Sequence, residues 1–286
     1  MQITAGDAAA APIPRVGVAQ RLLPRWQLGG TDAVDVSSLQ VIGQADRKYI
    51  MCQAGGVLVA IDQHAADERA RLEGYFDDLC AMLVQLSRLS EGQPASAAEG
   101  VSVLMPAVPV ALSRHDAAAV GRVAAGLRQL GIQLAPKAAD TGAQGEGDRC
   151  VLHMVCAPTA LVPRLVGREG RSEGFAVELL LAAAEWLASG AQGSTYAASR
   201  SCAADEGLAG AWPALAALPG VVVDTVRSMA CRGAITFNES LSLSECRAVV
   251  DRLAQCQFPW FCAHGRRSTA PIAPLAWPES IGHSHK

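Results

Sequence analysis

Between Leu39 and Ile61 the chain carries three short apolar runs, LQVIGQ, KYIMCQ and VLVAI, separated only by Ala45-Asp46-Arg47 and Ala54-Gly55-Gly56. Runs this short, rich in Val and Ile and punctuated by turn residues, leave room for little except a strand meander. Directly after Asp62 the period changes. Leu72, Phe76, Leu79, Leu83 and Leu86 recur at helical spacing, which predicts one long helix running to about Leu89. A meander feeding a long helix restricts the chain to an α+β fold built on an antiparallel or mixed sheet with helices against it.

The pattern breaks at SEGQPASAAEG, Ser90 to Gly100, and a second unit follows. VPVAL is expected as a strand, Arg114 to Leu130 as a helix, and IQLAP as a strand. The loop ADTGAQGEGD, the strand VLHMVCAP and a helix from Gly174 to Leu187 come next. This β-α-β order suggests a smaller α/β subdomain inserted over 101–221. The flanking segments 38–100 and 222–286 would then form the main subdomain. Met1 to Ser37, rich in Ala, Pro and Gly, reads as a disordered linker or the end of a longer protein, and Ser189 to Gly210 as polar and partly mobile. A helix is expected from Val223 to about Ala234. Ser242-Leu-Ser-Glu245 has capping-box spacing and should start another, ending near Gln257. Pro and Gly exclude continued helix through FPWFCAHGRRSTAPIA, Phe258 to Ala273.

Composition removes several classes of function. With 286 residues, half of them hydrophobic, the chain can bury a core, yet charge interrupts every apolar stretch, so no membrane span is expected. The first residues do not read as a secretory signal. A net charge of -3 gives no overall attraction to nucleic acid, so any DNA contact must come from a local patch or a partner. Nine cysteines without framework spacing fit a reducing compartment.

Where the third run stops, Asp62-Gln63-His64 leads into the helix. Residues four apart share a helix face, so His64 and Glu68 can point at one ion, with Asp62 just before the helix and Glu73 farther along. A charged first turn is equally a solvated face or a complement to the helix dipole, and a single histidine more often makes an ordinary hydrogen bond. Cys262-Ala263-His264 offers a second pair. Two apart on an extended segment, both side chains would emerge on one side of the backbone. Cys231, in Met229-Ala-Cys-Arg-Gly-Ala234, is a third candidate, or simply a small residue that permits close packing.

Taken together, these segments resemble the C-terminal endonuclease and dimerisation domain of MutL-type mismatch-repair proteins. Asp62-Gln-His-Ala65, Glu68 and Glu73 match that family's first metal motif at every fixed position. Ala230-Cys231-Arg232 resembles its second motif and Cys262-Ala-His-Gly-Arg266 its third, in the family's order. The run MACRGAITFNESLSLSECR, and CAHGR in place of CPHGR, lie nearest the eukaryotic MutL-gamma subunit, which acts in meiotic crossing over. Where the family's third motif continues with proline, this chain has Arg267.

The resemblance implies a nuclear DNA-nicking endonuclease of mismatch repair and meiotic recombination, stimulated by manganese or magnesium and holding zinc. The alternative is a non-catalytic dimerisation module with structural zinc. His64, Glu68, Cys231, Cys262 and His264 are the implied ligands. Glu68 would bridge two ions, and Asp62, with Glu68, would be catalytic. Arg232, Arg266 and Arg267 are candidate phosphate contacts, or else solvated arginines. The implied partners are DNA and a second MutL homologue; the candidate pairing surface is the meander from Leu39 to Ile61 with the helix around Val223, whose apolar residues would serve equally as plain core. A sliding clamp stands as a further candidate partner of the regulatory-type insert, although Val103-Leu-Met-Pro106 is too degenerate to count as its motif. None of the family's glycine-rich ATPase motifs is present, as expected for the C-terminal part of a longer protein.

Overall fold

The computed structural model describes residues 38–54, 56–90, 92–135, 149–167, 172–190, 215 and 218–275. The linker expected over Met1 to Ser37, the loop Ala139 to Asp148 and most of Ser189 to Gly210 lie outside the described residues. The strands are β1 (Gln40–Ala45), β2 (Tyr49–Ala54), β3 (Val57–Asp62), β4 (Val101–Ser113), β5 (Gln133–Leu134), β6 (Arg149–Pro158) and β7 (Thr269–Pro274). The helices are α1 (Gln63–Arg88), α2 (Arg114–Arg122), α3 (Ala124–Gln129), α4 (Val162–Leu165), α5 (Ser172–Ala188), α6 (Gly220–Gly233) and α7 (Leu243–Gln255). The fold is α+β, as expected. It divides into two compact units, residues 1–73 with 230–286 and residues 74–229, and the divisions fall within α1 and α6.

The first unit is built on a four-stranded antiparallel sheet in the order β1-β2-β3-β7. Asp46 and Arg47 take positive φ values of 51° and 48°, the conformation that matches a tight hairpin to the right-handed twist of its strands. Lys48 N–H closes that turn on Ala45 O at 3.1 Å. One face of β2 and β3 carries Ile50, Cys52, Val57, Val59 and Ile61 inward. Against it lie Cys246, Val249, Val250 and Leu253 of α7, with Trp260 beyond. The expected capping box is present: the Ser242 hydroxyl accepts from Glu245 N–H, and the Glu245 carboxylate accepts from Ser242 N–H at 2.7 Å.

No strand is assigned to Thr269–Pro274 from the sequence, and Pro271 and Pro274 are unusual in a ladder. They are tolerated since β7 is an edge strand with only β3 beside it. Its pairing decides where the chain's end goes. Ile61 lies opposite Thr269, and Asp62 N–H donates to Ser268 O at 2.8 Å. The segment just before β7 is thereby delivered to the start of α1.

In the second unit the sheet order is β4-β6-β5, with antiparallel neighbours. The β-α-β order read from the sequence is real but split: β4 and β5 run the same way with β6 between them. The helix expected from Arg114 to Leu130 is two helices, broken at Val123, whose φ of -107° and ψ of 14° leave the helical region. Within IQLAP the strand spans Gln133–Leu134, with Ala135 N–H donating to His153 O at 2.7 Å beyond it, while the strand around VPVAL extends from Val101 to Ser113. Among the described residues no helix is long and apolar enough to cross a membrane. All eight cysteines among them are free thiols.

Candidate metal centre

The junction between β3 and α1 sets up the site one residue at a time. Asp62 ends the strand and caps the helix: its Oδ1 accepts the Ala65 N–H at 3.0 Å. His64, one position into the helix, places its Nδ1 2.9 Å from Ile235 O. A carbonyl oxygen only accepts, so Nδ1 carries the proton and Nε2 keeps its lone pair for the site. Nε2 lies 4.0 Å from Oε2 of Glu68, one helical turn on. The Glu68 side chain is only 3% exposed.

Cys231 enters from the last turn of α6 and completes a group with His64 and Glu68 whose ligand atoms all lie within 4.8 Å of one another. A second group of the same compactness consists of Glu68, Cys262 and His264. Glu68 belongs to both. Burial pushes the Cys231 thiol up, and the Glu68 carboxylate and Cys262 thiol nearby push it further.

Cys262 and His264 do not sit on an extended segment, as the sequence suggests, but on a turn. Gly265 N–H donates to Cys262 O at 3.0 Å, and Gly265 has a φ of 79°. A side chain at 265 would be strained by that backbone alone, since a Cβ there meets nothing within 4 Å. His264 N–H points at Cys262 Sγ at 3.3 Å, and its ring Nδ1 lies 3.0 Å from Glu68 Oε1. That contact lacks hydrogen-bond geometry, so Oε1 is a buried carboxylate oxygen without a hydrogen-bond partner. Such an atom is costly unless something positive meets it. The two groups that share Glu68 together hold two thiols, two imidazoles and one carboxylate, a donor set that fits zinc.

Residues 42–158 match the model of the MutL C terminal dimerisation domain. The chain is 28% identical over 260 residues to DNA mismatch repair protein Mlh3 of Homo sapiens, covering 84% of this chain and 15% of that protein. It is 27% identical over 238 residues to DNA mismatch repair protein MLH3 of Arabidopsis thaliana, covering 82% and 17%. DNA mismatch repair protein MutL of Geobacter sulfurreducens is 40% identical over 98 residues, 34% of this chain and 14% of that protein. The chain thus carries a match to the MutL C terminal dimerisation domain over residues 42–158, with similarity to the two Mlh3 proteins over more than four fifths of its length.

In this chain the three motifs meet within the first unit, yet not every motif residue reaches the ligand groups. Asp62 is in neither. Glu73 turns instead to the backbone, accepting Gln257 N–H at 2.6 Å and Phe258 N–H at 3.0 Å. Arg232, Arg266 and Arg267 are exposed. Arg267 stands where the MutL motif has proline, opposite Phe261 in an isolated antiparallel bridge. The bridge's bonds run from Cys262 N–H to Arg266 O at 2.8 Å and from Ser268 N–H to Trp260 O at 3.0 Å. Neither uses the N–H of residue 267, so a proline there would cost the bridge no hydrogen bond.

Sequence reasoning missed the residues that hold the turn and the ligands in place. Arg69, 8% exposed, donates to Phe261 O and Cys262 O, each at 2.5 Å, and reaches Glu73 at 3.7 Å. Asp67 is 1% exposed and accepts from Arg71 at 2.7 Å and Arg252 at 2.6 Å. The spacings Asp67/Arg71 and Arg69/Glu73, each four apart, were the available signal. Phe237, 45% exposed, lies beside His64 with ring centroids 5.9 Å apart, and nothing in the spacing pointed to it.

Proposed function

We propose that this chain is the metal-dependent DNA-nicking domain of a nuclear MutL-homologue subunit acting in mismatch repair and meiotic crossover resolution, paired with a second MutL homologue. The chain spans 15% and 17% of the length of the two Mlh3 relatives, so the whole protein's activity, DNA and partners belong to this proposal. The observation that carries it is Glu68. One buried carboxylate shared by two ligand groups is what a two-ion phosphodiesterase site requires and a single structural ion does not.

His64, Glu68, Cys231, Cys262 and His264 would hold the metal, zinc by donor chemistry. When bound, it would neutralise phosphate oxygens and make hydroxide available near neutral pH. The only carboxylate in the two groups is Glu68, so manganese or magnesium would depend on water, phosphate oxygens and Asp62 for the remaining ligands. His64, held with its Nδ1 proton on Ile235, keeps an acceptor facing the site. Arg232, Arg266 and Arg267 would meet backbone phosphates, giving the local positive patch that the overall charge does not supply.

Nicking of supercoiled circular DNA with the partner and manganese tests the reading, comparing wild type with Asp62→Asn and Glu68→Lys. Loss in both variants is expected. Equal nicking by all three proteins would eliminate catalysis here. A second reading, a non-catalytic dimerisation module with structural zinc, draws support from Asp62, which caps α1 and lies outside both ligand groups. It expects zinc to be retained and nicking to be absent from all three proteins.

A further inference from the structure

Metal-binding histidines depend on what holds the ring from behind: the proton on the far nitrogen, and the acceptor it meets, fix the tautomer and aim the lone pair. For His64 that acceptor is Ile235 O, at 2.9 Å. The backbone of Ile235 is itself held. Its N–H donates to Oδ2 of Asp67 at 3.1 Å. Asp67 is fixed in turn by Arg71 Nε at 2.7 Å on Oδ2 and Arg252 Nη2 at 2.6 Å on Oδ1. The carboxylate is 1% exposed, so water does not compete for these bonds. Ile235 lies in the segment that follows α6, the helix whose last turn carries Cys231. Residue 235 therefore links a buried carboxylate on α1 to the ring of His64, one turn earlier on the same helix: its N–H and its C=O belong to the two peptide groups on either side of its Cα, and the bonds at both ends fix it.

We propose that Asp67 is a positioning residue: through the backbone of Ile235 it holds His64 in the Nδ1-protonated tautomer with Nε2 turned to the Glu68 site. The bonding pattern leaves few other readings. A carboxylate needed only to pair surface arginines has no reason to be buried, because exposed pairs of this kind contribute little. Asp67 instead places an oxygen on the N–H of the residue whose C=O is the histidine's acceptor. The inference rests on the proposed metal centre for its consequence, and on hydrogen-bond geometry alone for the tautomer.

Two measurements on the full chain separate these. The first is the nitrogen NMR spectrum of the histidine rings, without added metal, at a pH where the rings are neutral. Wild-type His64 should show a protonated Nδ1 and a lone pair on Nε2; Asp67→Asn should move it toward an averaged tautomer. An unchanged His64 spectrum in a folded Asp67→Asn protein overturns the proposal whether or not zinc binds. The second is zinc affinity by chelator competition. Asp67→Asn should weaken it by about 10–100-fold, the range for groups that orient a ligand. In a His64→Ala background the same substitution should cost nothing further, whereas additive losses would mean that Asp67 acts on the fold rather than through His64, and would overturn the proposal. If wild type binds no zinc, the metal reading fails while the NMR result still decides the tautomer. Should Asp67→Asn not fold, Arg252→Gln, at a half-exposed position, should shift both readouts the same way to a smaller extent. No shift in a folded Arg252→Gln protein would then count as the overturning result.

Discussion

Asp62 has two jobs available to it, and chemistry separates them. As an N-cap it needs only an acceptor oxygen, which asparagine also offers; as a metal or water ligand it needs its charge. Asp62→Asn should therefore leave the melting temperature where it is and remove nicking. Asp62→Ala should lose the cap as well, at a cost of about 1 kcal/mol. Paired thermal melts and nicking assays on the two variants check this. A stability loss in Asp62→Asn as large as in Asp62→Ala would show that the carboxylate charge is spent on the helix rather than on a reaction. Glu73 shows the same ambiguity resolved the other way: it belongs to the metal motif in sequence, but both its oxygens are engaged by backbone amides.

At the scale of elements, α7 carries its own pH dependence. Hydrogen bonds from Ser242 hold the Glu245 carboxyl below its usual range. A depressed carboxylate contributes stability that is present above its unfolded-state pKa and lost as pH falls through the folded one. Glu245→Gln should thus lower the melting temperature at neutral pH, with the difference from wild type vanishing in strong acid. Melts across that range measure it, and a gap that persists undiminished in acid would refute the assignment. α7 was also legible in advance, because its capping box and apolar stripe are local signals. So were the meander and α1. β7 was not, since two prolines forbid a strand except at an edge, and edge position is a property of the finished sheet. The split of Arg114 to Leu130 into α2 and α3 did leave a local trace, since Gly121 and Gly126 flank Val123 and glycine is costly inside a helix. The ligand groups followed the same division. Spacing brought His64 to Glu68 and Cys262 to His264, but only the pairing of β7 with β3 carries the second pair to the first.

For the molecule as a whole, the ligand groups join segments far apart in the chain, so metal should count as folding free energy. Removing it with a chelator should lower the melting temperature of the full chain, by an amount equivalent to about 2.7 kcal/mol if free zinc stood at 100 times its dissociation constant. Binding should weaken as pH falls, because the Cys231 thiol is pushed up and must lose its proton to become a ligand. Zinc titrations at two pH values and melts with and without chelator measure both effects. A chelated protein that melts with the untreated one would mean that the groups hold no ion.

The sheet of the first unit raises the matter of partners at the same scale. One face is covered by α7. The other carries Tyr49, Met51, Leu58 and Ala60, which alternate with the core residues of β2 and β3. Antiparallel sheets with one solvated face usually place polar residues there. Here only Gln53 and Asp62 do so on these two strands, and Tyr49 is 42% exposed. That composition suits the dimerisation domain whose family model the chain matches. Replacing Met51 and Leu58 with glutamate puts two charges on this face and none in the core. The doubly substituted chain should keep its circular dichroism spectrum and zinc content while its affinity for a MutL-homologue partner falls by about 100-fold, the loss expected when a central apolar anchor is removed. Light scattering of the mixed subunits reads the outcome. Unimpaired pairing would move the interface off this sheet, and a lost spectrum would mean that the face is core in this chain.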